Sequence, residues 1–182
     1  MIKWLVYFII IISSGSCGRK NQVKERELIL EYAENLIVDV KGRKILCIEN
    51  LQVKNGKEWA SYKGNQKKII KLINTECGKC YTSLEEWKLF IESDKDFFDH
   101  ELGLFFIVLG PMNNYFEYVV SNFDYPFTIL FDEEGNFLEC NKFIENTLET
   151  FLLDENNTIT MKGSPLNNKG VYEVYKILLE KL

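Results

Sequence analysis

Ile69-Ile70-Lys71-Leu72-Ile73-Asn74-Thr75-Glu76-Cys77-Gly78-Lys79-Cys80 is the stretch whose reading decides the fold. The apolar run Ile69–Ile73 has the length and composition of a buried strand. Beyond the cysteines, Cys80, Leu84, Trp87 and Ile91 recur at helical spacing. The order is therefore strand, turn, CxxC, helix. A cysteine at a helix start lies beside unpaired backbone N–H groups and the positive end of the helix dipole. Both favour the thiolate, which is the reactive form. The second cysteine, one turn on, can close onto the first, so Cys77 and Cys80 can give or take two electrons as a pair. A lone CxxC is also half of a zinc site. The position between strand and helix favours redox chemistry.

Working outward, the N-terminus has the plan of an export signal. Lys3 supplies a positive charge, Trp4–Ile12 are uninterruptedly apolar, and Ser13-Ser14-Gly15-Ser16 are small. Nine apolar residues in a helix cover about 14 Å, half of a ~30 Å hydrocarbon core, so this stretch is too short to span a bilayer. Small residues running into Cys17 resemble the lipobox of bacterial lipoproteins, with Ser14 where that motif usually carries Leu. The resemblance implies cleavage before Cys17 and a diacylglycerol on its sulfur. An ordinary cleaved signal with Cys17 as a free or bridged thiol is the alternative. Residues 1–16 are thus expected to be a lipoprotein-type signal peptide. Residues 17–42 follow as tether and N-terminal extension, with Gly18–Lys24 polar and basic.

The remaining 166 of 182 residues suffice for one domain with a full core. Acids outnumber bases 27 to 22, which argues against a nucleic-acid partner. An exported chain lives where disulfides persist. Cys47 and Cys140 stand in apolar stretches and read as buried small hydrophobes. With a single histidine, His100, and no second CxxC, no metal and no cofactor are expected. His100 itself reads as a surface residue.

Further along, Arg43–Ile48 reads as a strand and Lys54–Gln66 as a polar loop, while Glu25–Val38 fits helix and strand equally. Leu104–Leu109 is continuously apolar and ends at Gly110-Pro111, the pattern of a buried central strand. Asn114–Asn122 reads as a helix with Phe116, Val119 and Val120 inward. Two strand–turn–strand candidates follow: Phe127–Phe131 with Asn136–Glu139, and Thr150–Leu153 with Thr158–Lys162. Val171, Val174, Tyr175, Leu178, Leu179 and Leu182 line one side of a terminal helix.

This order, with Ile69–Cys80, Trp87, Tyr125-Pro126-Phe127, Thr150–Asp154 and Gly163-Ser164-Pro165, resembles the thioredoxin-like thiol–disulfide oxidoreductases anchored in bacterial envelopes. The resemblance covers 43–182. It implies an α/β thioredoxin-like fold, a central mixed sheet flanked by helices, with Cys77 attacking a client disulfide and Cys80 resolving the intermediate. It also implies a lipid-anchored domain facing the periplasm that exchanges disulfides with envelope proteins, with Gly78, Lys79 and Leu148 facing the client. A binding or structural module with a static Cys77–Cys80 disulfide is the alternative function. Two departures stand out. Leu148 holds the place where the family has a cis-proline, with Pro126 as the rival position, and a non-proline cis bond costs ~3 kcal/mol. Lys71 stands six residues before Cys77, where thioredoxins bury an acid.

Overall fold

The structure is a computed structural model that describes residues 23–53, 66–98, 102–145, 149–166 and 168–180. Its centre is β2 (Lys68–Asn74), the strand that leads into the CxxC. Every side chain from Ile69 to Ile73 except Lys71 is fully buried, as a strand covered on both faces requires. β2 pairs in parallel with β3 (Gly103–Leu109), Ile70 opposite Phe105, and antiparallel with β5 (Thr150–Leu153), Ile70 opposite Phe151. With β4 (Thr128–Asp132), β6 (Ile159–Lys162) and the two-residue β1 (Gln52–Val53), the order across the sheet is β1-β4-β3-β2-β5-β6.

The parallel half is two successive strand–helix–strand units. The first crossover is α2 (Gly78–Ser93) with the short α3 (Lys95–Phe98), and the second is α4 (Asn114–Asn122). On α2, Cys80, Leu84 and Trp87 turn inward. Trp87 meets Phe106 of β3 edge-on, ring centroids 5.9 Å apart. On α4, Phe116 packs edge-on against Phe131 of β4. Residues in register on adjacent strands share a sheet face. Phe106 and Ile129 are in register, and Phe131 lies two residues along from Ile129, so α2 and α4 cover the same face. α4 starts on Asn113, whose Oδ1 accepts from the Phe116 N–H at 2.8 Å. The antiparallel half is the hairpin β5–β6 followed by α6 (Lys169–Leu179), which buries Val171, Val174, Tyr175 and Leu179.

Residues 23–36 form a helix, α1, which settles the segment whose pattern fitted both periods. Ala33 and, just beyond α1, Ile37 and Val40 join the core, so this extension is part of the packed domain. Arg26 pairs with Glu180 near the end of α6, and Lys162 of β6 reaches Asp39 at 2.7 Å.

Two expected strands are absent. Asn136–Glu139 lies in a helix, α5 (Asn136–Cys140), so the first candidate hairpin does not form. Gly135 takes φ +76°, and the buried Asp132 carboxylate accepts from the Phe137 N–H at 3.0 Å, which starts a helical turn in place of a β-turn. Arg43–Ile48 is not a strand either. It makes a single bridge, Lys44 to Thr158, before Cys47 turns left-handed at φ +62° into a 3-10 turn, Ile48–Asn50. Asn141 holds this segment instead. Its amide accepts from the Leu46 N–H at 2.9 Å and donates to the Leu46 carbonyl at 3.0 Å. The loop expected over 54–66 lies, except for Gln66, outside the described residues.

Candidate functional site

Cys77 stands at the end of the turn leaving β2 and is the N-cap of α2. Three contacts shape that turn. The Cys77 N–H donates to the Asn74 carbonyl at 3.1 Å, the Glu76 N–H donates to the Asn74 side chain at 2.8 Å, and the Cys80 N–H donates to the Cys77 carbonyl at 2.9 Å. The Thr75 carbonyl accepts from the Tyr81 hydroxyl at 3.1 Å and from the Asn113 amide at 3.0 Å. The residue that caps α4 therefore also fixes the turn carrying the cysteines. Nothing in the sequence around Asn113 signals this second task, since the two positions are 38 residues apart.

The two thiols differ. Cys77 is half-buried and Cys80 is buried at 4% exposure, both free of disulfides. The Cys80 thiol donates to the Cys77 sulfur, which holds Cys77 below the usual cysteine range despite partial burial. The N–H groups of Cys80 and Lys79 face the same sulfur, without closing a full capping bond, and the Lys79 charge adds to their effect. Cys80 is pushed up to about 11, first by burial and then by its hydrogen bond to Cys77. The pair thus has an outer, acidic thiol and an inner, shielded one. Gly78 and Lys79 between them are exposed. Trp87, fully buried against Phe106 and Phe90, serves packing.

β5, the antiparallel neighbour of β2, brings the segment after 146–148 beside the site. The Leu72 N–H donates to the Glu149 carbonyl at 2.9 Å. Leu148 lies outside the described residues, as do Cys17 and His100. Pro126 precedes β4, which is separated from β2 by β3. A groove of about 360 Å3 opens where β2, β3 and β4 end, with Leu109, Pro111 and Leu138 among its apolar lining and Glu76, Glu133 and Glu134 among its acids.

Cys47 and Cys140 are not buried small hydrophobes. They form a disulfide across 93 residues of sequence, Cα atoms 6.3 Å apart, with Cys140 exposed. The apolar neighbours that suggested burial belong to segments the bridge ties together. Among the described residues no three or more His, Cys, Asp or Glu gather as a metal site.

Solved structures share this architecture. A candidate thiol:disulfide interchange protein, DsbE, from Chlorobium tepidum superposes with a TM-score of 0.57 over 76% of this chain and 97% of its own, at 16% identity. The thioredoxin domain of a thiol-disulfide oxidoreductase from Bacteroides vulgatus gives 0.57 over 77% and 98%, at 13% identity. A thioredoxin-like protein in its oxidized form gives 0.55 over 76% and 97%, at 14% identity. The fold is thioredoxin-like. No protein-family model and no curated protein matches the sequence. At these identities the likeness establishes the fold, and the chemistry rests on this chain's own residues.

Proposed function

We propose that this chain is a thiol–disulfide oxidoreductase of the bacterial envelope, lipid-anchored through Cys17 with its domain facing the periplasm. Its partners are protein thiols and disulfides. The observation that carries the chemistry is the asymmetry of the pair, an outer thiol held acidic at a helix start and an inner one held neutral. The Cys77 thiolate attacks a client disulfide, forming a mixed disulfide and releasing one client sulfur. The Cys80 thiolate then attacks the Cys77 sulfur, closing Cys77–Cys80 and releasing the client reduced. Run backwards, the same steps oxidise a client dithiol. Gly78, Lys79 and Leu148 are the positions assigned to the client side. An exposed Lys79 adjoining the attacking sulfur fits that role.

The test is trapping. Cys80→Ser leaves attack intact and removes resolution, so it should accumulate mixed disulfides with client proteins. Cys77→Ser should accumulate none. Equal trapping by both variants, or none by either, would overturn the assignment in favour of a redox-inactive module.

A further inference from the structure

Tyr81 follows the CxxC directly, and Thr75 stands two residues before it. Their contact closes the segment that carries both cysteines into a ring, because the Tyr81 hydroxyl donates to the Thr75 carbonyl at 3.1 Å. Asn113, at the start of α4, completes the closure. Its Nδ2 donates to the Thr75 carbonyl at 3.0 Å and to the Tyr81 oxygen at 3.1 Å. Its Oδ1 accepts from the Phe116 N–H at 2.8 Å, so the same amide caps the helix.

Every donor of this triangle is used. A primary amide has two N–H donors, a hydroxyl has one, and a carbonyl oxygen has two lone pairs. Both Asn113 donors and the Tyr81 hydrogen are engaged, and the Thr75 carbonyl accepts twice. The Tyr81 ring is held too, edge-on to Tyr115 with centroids 4.7 Å apart and tilted against Phe116 at 5.4 Å. Both of those rings belong to α4. From the strand side, the Thr75 N–H donates to the Leu109 carbonyl of β3 at 3.3 Å. The two ends of the cysteine segment are therefore tied to each other, to α4 and to the sheet.

We propose that Tyr81 and Asn113 are positioning residues of the cysteine pair, bracing the segment from Thr75 to Tyr81 so that the Cys77 and Cys80 sulfurs stay within reach of each other. The inference rests on the exchange chemistry above and deepens it. Two properties depend on that reach. In the reduced pair the Cys80 thiol donates to the Cys77 sulfur, and that contact is the first cause of the acidity of Cys77. In the mixed disulfide the Cys80 thiolate must meet the Cys77 sulfur. The Cys77–Cys80 bond then forms, the bond between Cys77 and the client sulfur breaks, and the client sulfur leaves as a thiolate with the electron pair. An intramolecular attack of this kind depends on alignment, and a misplacement of about 1 Å can cost ~100-fold.

The experiment uses the purified full-length chain, reduced at Cys77–Cys80. Tyr81→Phe removes one hydroxyl and keeps the ring. Asn113→Ser keeps a good cap for α4 but is too short to reach the Thr75 carbonyl. Each variant should raise the pH midpoint of Cys77 alkylation by roughly half a unit or more. With glutathione disulfide as the probe, stopped-flow kinetics should show the Cys77–glutathione adduct resolving about threefold or more slowly in each. The double variant should fall short of the sum of the two singles, because both act on one ring. A purely structural role would lower urea stability and leave the midpoint and the resolution rate at their wild-type values. That result would overturn the proposal, and so would fully additive effects. Should the variants misfold, the wild-type chain decides through hydrogen exchange of its side-chain amides. The Asn113 amide should exchange more slowly than that of exposed Asn114, whether the pair is reduced or oxidised. Equal exchange would overturn the proposal. If Cys80→Ser accumulates no glutathione adduct, the exchange chemistry itself fails, while the alkylation midpoints still judge Tyr81 and Asn113.

Discussion

A thiol's reactivity follows from what faces its sulfur, and the two thiols here face different things. Cys77 meets the Cys80 thiol, the N–H groups of Cys80 and Lys79, and the Lys79 charge, all of which favour the thiolate. Cys80 meets apolar packing and the anion on Cys77, which disfavour it. The sign gives a pH prediction. In the reduced protein, alkylation of Cys77 by iodoacetamide should reach half its maximal rate below the ~8.5 of a free cysteine. Cys80 should resist alkylation until the pH nears about 11. Peptide mass spectrometry after timed alkylation separates the two, and a common midpoint would contradict the asymmetry. The N-cap position behind this contrast was legible in the sequence, because Cys77 stands between an apolar run and a helical pattern. The fate of Cys47 and Cys140 was not legible. Local composition describes neighbours in sequence, and the partner each cysteine found lies 93 residues away.

Elements were legible where burial dictated pattern and illegible where one side chain overruled it. β2 and β3 are buried in the sheet's centre, so apolar runs marked them, continuous in β3 and broken by Lys71 in β2, and α4 and α6 carry their inward residues at helical spacing. Asn136–Glu139 failed because Gly135 and the Asp132 carboxylate start a helix there. Arg43–Ile48 failed because it makes only a single antiparallel bridge, Lys44 to Thr158, and is otherwise held by a distant asparagine and a disulfide. Those two contacts sit side by side, since Asn141 follows Cys140 and Leu46 precedes Cys47. Together they clasp the end of α5 to the segment leading into β1. The chain-entropy account gives a loop of this length about 4–5 kcal/mol, and native disulfides typically contribute about 2–4 kcal/mol. A Cys47→Ser/Cys140→Ser variant should therefore lose about 2–4 kcal/mol in urea unfolding, compared with wild type at the same Cys77–Cys80 redox state. Its Cys77 alkylation profile should stay unchanged, because the clasp touches none of the groups that set it. Unchanged stability would mean that the Asn141 bonds and the Lys44–Thr158 bridge hold the segment without the disulfide.

At the scale of the whole molecule, the packing of α1 makes the proposed anchor a positional device. α1 begins at residue 23, six residues after Cys17, and the segment after it enters the core through Ile37 and Val40. Six extended residues reach at most roughly 20 Å. A lipid on Cys17 would hold the domain within that distance of the bilayer surface, and Cys77 would meet clients at or near the membrane. Lipid chains contribute ~0.8 kcal/mol per buried CH2, and one chain anchors marginally where several anchor stably. Among the described residues no helix is long and apolar enough to cross a membrane. Gly18-Arg19-Lys20 carries no acidic residue, and the reading expects retention on the periplasmic side rather than display outside. Expressed from its full-length gene, the wild-type chain should enter the detergent phase on phase separation, and mass spectrometry should find diacylglycerol on an N-terminal Cys17. Cys17→Ser should move the chain into the aqueous phase while its Cys77 alkylation profile stays that of wild type, since the pair's chemistry belongs to the fold and its location to the anchor. A Cys17→Ser chain that remained membrane-bound at high salt would sink the anchor and leave the redox assignment standing.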